Sequence, residues 1–196
     1  MRLAAERDFA EIGLADVAAA ADVSLATLRE SYDGKLGILA DFSRRLDRVV
    51  LEKGRAEGEA ARDRLFEILM RRFDALIPNR PALRRLLHSA RRDPFLARAL
   101  HRIAKKSQMW MLVASHIHKG GIAGRIAIEG TVLVYAEALR VFLDDDDPGL
   151  ARTMAALDRA LSRGETAMHW LDRICSFLPD TGERVRRRTG GKRAML

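Results

Sequence analysis

From Leu150 to Leu178 the apolar and small residues fall at Leu150, Met154, Leu157, Leu161, Gly164, Met168, Leu171, Cys175 and Leu178, stepping alternately by four and three. Only an α-helix brings such positions onto one side. The alternation is that of a heptad seam on a helix packed lengthwise against partners. Two readings of the seam stay open. It is either an intramolecular core helix, or a subunit interface in which two such helices and two copies of the preceding one form a four-helix bundle. On the second reading Leu150, Met154, Leu157, Leu161, Gly164, Met168 and Leu171 are the dimer contacts.

The rest of the chain repeats the same spacing of three and four, and nothing alternates as a half-buried strand does. The expectation is an all-α fold. Residues 1–9 read as the end of a helix, and 14–21 and 24–32 as two short ones. Leu36, Leu39, Phe42, Leu46 and Val49 mark a longer helix from Lys35 to about Lys53. Further helices are expected over 59–77, 81–92, 94–118, 124–143 and 148–177. Pro78 ends one, and Asp93-Pro94 starts another, because proline suits a first helical turn. Gly120-Gly121 break the chain. The acidic run Asp144 to Asp147 is placed to cap the last helix, with Pro148 in its first turn.

Charge divides the chain unevenly. The net charge is +8, which points to an acidic partner such as nucleic acid or an anionic surface. Yet residues 1–35 hold four Lys/Arg against seven Asp/Glu, whereas 181–196 hold six against one. The basic excess lies in the body and in a polar tail after Pro179, which reads as a disordered, solvated segment. A single cysteine, Cys175, excludes a disulfide framework and a cysteine-built zinc site. No leader peptide and no apolar run of membrane-spanning length is visible, so a cytoplasmic protein is expected.

Little suggests an enzyme. Gly120, Gly121 and Gly124 lack the preceding strand of a phosphate loop. The four aspartates lack calcium-loop spacing. His116 and His118 diverge on a helix. No catalytic residue, cofactor or metal is expected.

Residues 14–35 have the layout of two short helices joined by a tight turn. Val17, Val23 and Leu28 are spaced to close a small core, with Ala18 and Ala21 small where the helices meet. Ser24 is a good N-cap for the second helix. Asp22 stands at the turn, where it tolerates a left-handed backbone better than most residues. Leu14, Asp16, Val17, Ala18, Ala21, Asp22, Val23, Ser24, Leu28, Tyr32 and Lys35 together resemble the DNA-binding head of TetR-type transcriptional regulators. Asp22 replaces that family's turn glycine, Arg29 a tyrosine, and Gly34 a polar cap. Met1 to Glu6 read as the second half of a first helix.

The resemblance implies a helix-turn-helix head over 1–35, a ligand-binding and dimerisation body over 36–178 ending in a helix pair, and a tail over 179–196. It implies a homodimeric regulator, most simply a repressor, on a double-stranded DNA operator. Ser24, Leu25, Thr27, Arg29, Glu30, Tyr32 and Lys35 would meet DNA, with Lys35 on a phosphate. A small, apolar ligand would sit in the body, among Phe66, Met70, Phe73, Phe95, Met109, Trp110, Val113 and Tyr135. The alternative that the resemblance leaves is a lipid-binding protein of the same fold, which takes isoprenoids and assists ubiquinone synthesis instead of reading DNA.

Overall fold

The computed structural model describes residues 1–54, 56–117 and 120–177, with side chains as far as Gly164. Its order is α1 (Arg2–Glu6), α2 (Leu14–Ala20), α3 (Leu25–Ser31), α4 (Lys35–Glu52), α5 (Ala61–Leu76), a 3-10 turn (Ile77–Asn79), α6 (Arg80–Arg92), α7 (Pro94–Ala114), α8 (Gly121–Phe142) and α9 (Ala151–Phe177). No strand occurs among the described residues, so the fold is all-α.

The helix boundaries follow local chemistry. Asp93 caps α7, its Oδ1 accepting from the amides of Phe95 (2.9 Å) and Leu96 (3.1 Å), with Pro94 behind it. The end of α7 comes at Ala114, earlier than the apolar pattern suggests. His116 turns left-handed (φ 57°), and the amides of His116 and Ile117 bond back to Val113 and Leu112 (3.0 Å each). That closure satisfies two carbonyls which the helix end would otherwise leave open. The acidic run caps α9 from further upstream than expected. Asp147 Oδ2 accepts from Ala151 N (2.9 Å), and buried Asp145 accepts from Thr153 N (2.8 Å) and Oγ1 (2.6 Å). Pro148 therefore precedes the helix instead of sitting in its first turn.

By its contacts Met1–Gly164 is one compact unit, and Glu165 onward belongs to a second. The core of the first gathers around Phe73, whose ring stacks on Tyr135 (4.9 Å) and lies tilted against Phe142 (5.2 Å). Ile68, Leu69, Met111 and Leu157 close around them without measurable exposure. The short α1 persists because it packs on α6, with Ala4 and Ile12 meeting Ala82. A five-residue helix would not hold alone.

The first half of the α9 seam packs into the chain's own core. Leu150, Leu157 and Leu161 are 1%, 0% and 6% exposed within one chain. Gly164 faces Val134 of α8, where a Cβ would lie at an ordinary contact distance of 3.5 Å. Met154 stands 41% exposed. The outer side of α9 is held to α5 by Arg62, which donates to Asp158 Oδ1 (2.5 Å) and Ser162 Oγ (3.0 Å). Met168, Leu171, Cys175 and Leu178 fall outside the described side chains, and the basic tail lies outside the described residues.

Truncating a fully buried leucine costs about 2–5 kcal/mol, while a half-exposed side chain costs about 0.5 kcal/mol or less. Urea unfolding should therefore show Leu157→Ala strongly destabilised and Met154→Ala close to the parent. Equal losses would mean that the seam is not divided in this way.

Candidate nucleic-acid interface and ligand cavity

The head is built on its turn. Helix α2 ends with Asp22 at φ 54°, where its amide bonds to Ala19 O (3.2 Å) and that of Val23 to Ala18 O (3.0 Å). This paired closure needs one left-handed residue, usually glycine. Asp22 supplies it, as its place in the sequence suggests. Ser24 then starts α3, its Oγ accepting from Thr27 N (3.0 Å) and lying 2.9 Å from Thr27 Oγ1. Ala18 and Leu28 are buried between the helices, Val17 is half-buried, and Val23 stays 39% exposed.

Leu28 is the buried residue of α3. Ser24, Leu25, Thr27, Arg29 and Glu30 all face outward, Leu25 with 55% of its surface exposed. Arg29 pairs with Asp33 (2.8 Å) at the open surface. Such a pair contributes little to stability, so its partners exchange readily.

Tyr32 and Lys35 are placed differently. Both turn partly inward. The Tyr32 hydroxyl donates to Asp41 Oδ2 (2.9 Å), and Asp41 also receives Arg44 (2.9 Å) and Arg45 (2.8 Å). Lys35 Nζ donates to the carbonyls of Phe9 and Ile12 (2.7 Å each) and sits 4.6 Å over the Phe9 ring. Two of its three donors thus close the loop between α1 and α2. Lys35 is an internal clamp on loop carbonyls as well as the residue from which a phosphate contact is expected.

A cavity of about 700 Å³ lies in the body. Helix α4 contributes Leu39, Phe42, Ser43 and Leu46, and α5 contributes Arg72 and Leu76. The remaining wall comes from α6 (Leu83, Leu86, Leu87), α7 (Leu100, Ile103, Gln108) and α8 (Val132, Tyr135, Leu139). Behind the wall a buried polar knot joins three helices. Arg72 donates to Asp47 and to Ser43 Oγ (3.2 Å), and Ser107 Oγ donates to Asp47 Oδ1 (2.7 Å). Arg72 also lies 5.7 Å from the Tyr135 ring.

Of the residues expected to line a pocket, Tyr135 does. Phe73 stacks behind Tyr135 in the core, and Phe66 and Met70 pack against the same core away from the cavity. Phe95, Met109, Trp110 and Val113 are 86%, 43%, 51% and 45% exposed, which corrects their placement. Helix α7 turns the opposite side inward, with Leu96, Ala99, Ser107, Gln108, Met111 and Leu112 buried. Choosing its inner face by apolarity fails, because the inner face carries a serine and a glutamine. The missed residues, Ser43, Asp47, Arg72 and Gln108, are polar at positions where helical phase demands apolar ones. That phase conflict was the available signal.

The chain shares its fold with a solved structure, the TetR transcriptional regulator from Nitrosomonas europaea ATCC 19718. The TM-score is 0.63 at 20% identity, over 84% of this chain and 92% of that one. No protein-family model and no curated protein sequence matches the chain. Among the described residues no helix is long and apolar enough to cross a membrane.

Arg44, Tyr32 and Arg45 hold the Asp41 carboxyl down to about 2 against an ordinary 3.8, with the Arg44 hydrogen bond the largest contribution. A depressed carboxyl stabilises the fold above its unfolded pKa and loses that contribution as pH falls through the folded value. Asp41→Asn should accordingly lower the thermal midpoint at neutral pH. The gap to the parent should close between about pH 4 and pH 2. A gap that persists to pH 2 would show that Asp41 acts by something other than its charge.

Proposed function

We propose that the protein is a TetR-type DNA-binding transcriptional regulator, a homodimer whose DNA affinity is set by a small molecule in the body. The observation that carries this reading is the second helix of the head. On a compact turn, within a shared TetR fold, α3 buries Leu28 and turns Leu25, Thr27, Arg29 and Glu30 to the outside. That arrangement suits base edges in a major groove, with phosphate contacts fixing the register.

Part of the acidity in and beside the head is paired internally. Arg7 lies 3.3 Å from Asp16, Arg29 pairs with Asp33, and Arg44 and Arg45 flank Asp41. The pairs leave the excess of seven acidic over four basic residues in 1–35 as it stands, so base and phosphate contacts must come from the outer side of α3. For the dimer, α8 offers a better surface than the α9 seam. Ile122, Ile126 and Leu133 follow one side of α8 at 76%, 37% and 69% exposure. An apolar row of that kind is characteristic of surfaces that meet a partner. Two heads would then rest on successive major grooves, about 34–36 Å apart.

Helix α4 supplies the coupling. Its Asp41 holds Tyr32 of the head, while Leu39, Phe42, Ser43 and Leu46 face the cavity. A ligand that favours one placement of α4 would shift the population of head positions, and DNA would shift ligand affinity in return.

Fluorescence anisotropy against fragments of the DNA flanking its own gene tests the reading. A few fragments should bind well above the rest, with affinity falling as salt rises. Thr27→Asp adds a charge facing the phosphates while favouring the start of α3. It should weaken the preferred fragment about tenfold or more, with the thermal midpoint unchanged. Uniform weak binding to every fragment would overturn DNA reading.

A further inference from the structure

Resting on that ligand-responsive reading, we propose that the cavity takes an uncharged amphiphile: an apolar body carrying one neutral head, an amide or an alcohol, held by Gln108 and Tyr135. The wall contains polar atoms that the protein itself leaves unused. Both side-chain atoms of Gln108 and Arg72 Nε are buried with no hydrogen-bond partner among the described residues, and the buried Tyr135 hydroxyl has no well-formed one, only the nearby Arg72 guanidinium. Gln108 has no exposed surface, and all three side chains line the cavity. A buried polar group without a partner is costly, and most are satisfied in folded proteins. Here Oε1 can accept, and Nε2, Oη and Nε can donate. A head that offers both an acceptor and a donor completes the set.

Neutrality follows from what stands behind the wall. The positive charge of Arg72 is already met by Asp47, which also receives Ser107. Burial pushes the Tyr135 phenol up, so it stays an O–H donor. The inner wall therefore carries no net charge. A carboxylate or ammonium head would enter it uncompensated, at a heavy desolvation cost. The outer cations do not change this, since Arg84, which is paired with Asp144 (3.3 Å), and Arg91 and Arg140 line the cavity from exposed positions and so form its rim. Toward that rim the walls are Leu39, Leu86, Leu100, Ile103 and Leu139, which suit an aliphatic body. The volume of about 700 Å³ lies among those that enclose such molecules.

Four probes of equal chain length separate the possibilities: decanamide, 1-decanol, decanoate and decyltrimethylammonium. Each is titrated calorimetrically into the full chain at neutral pH. Decanamide and decanol should bind about tenfold or more tightly than either charged probe, the scale on which sites built for hydrogen bonding discriminate. Gln108→Leu and Tyr135→Phe keep the volume and delete the unused polar atoms. Both should leave the unfolding midpoint unchanged or raised. Both should also reduce the amide-over-carboxylate preference several-fold, which a merely structural role would not move. Decanoate binding as tightly as decanamide would assign the head to the rim arginines and overturn the proposal. So would an unchanged preference in the two variants, or no binding of any probe. DNA affinity is read in a separate experiment. Failure here leaves operator binding standing, and a failed operator assay leaves the chemistry of the cavity intact.

Discussion

The buried ion pair of Arg72 with Asp47 is the constraint on which the body depends. Two charges leave water only if their remaining hydrogen-bonding groups are met, and removing one partner from such a pair costs about 3–5 kcal/mol. Here Ser43 and Ser107 meet most of those groups and leave Arg72 Nε over toward the cavity, so α4, α5 and α7 come together in one register. Oily packing alone would tolerate several registers. The knot selects one, and it places a row of polar atoms at the edge of the core, where the helices stand apart and enclose the cavity.

The head is organised by a different device, the closure of short-helix ends. Asp22, Ser24 and Lys35 each satisfy or are satisfied by backbone groups that short helices and their loops leave open, and Asp41 holds the Tyr32 hydroxyl beside them. Small helices have little surface to bury, so these polar closures and the docking of Ala4 and Ile12 on Ala82 do what a larger core does elsewhere. The same economy frees α3, which spends Leu28 on packing and keeps its other side chains outside.

The helical order was legible because glycine and proline fall between elements and the apolar spacing is regular within them. The left-handed turn at Asp22 was legible for the same reason: only a few residue types tolerate that position. What the sequence concealed was every place where a polar side chain took an interior position. Ser107 and Gln108 on α7 interrupted the buried stripe, so Met109, Trp110 and Val113 took its place in the sequence reading. Lys35 looked free because its acceptors, the carbonyls of Phe9 and Ile12, are backbone atoms that no side-chain pattern announces. The α9 seam showed that Leu150, Leu157 and Leu161 are packed, but a period of seven does not say whether the partner belongs to the same chain.

The Lys35 clamp gives α4 a mechanical character. It fastens the loop between α1 and α2 to the first residue of α4, while Tyr32 is fastened nearly two turns further along through Asp41. Two attachments on one rod suppress independent swivelling. Helix α4 has 18 residues, which at about 1.5 Å each makes an arm of about 27 Å. Pivoted at its far end, a tilt of about 5° carries the clamped end through about 2 Å, close to the length of a hydrogen bond. Displacements too small to disturb the packing around Phe73 are thus large enough, at the other end of the rod, to make or lose a contact.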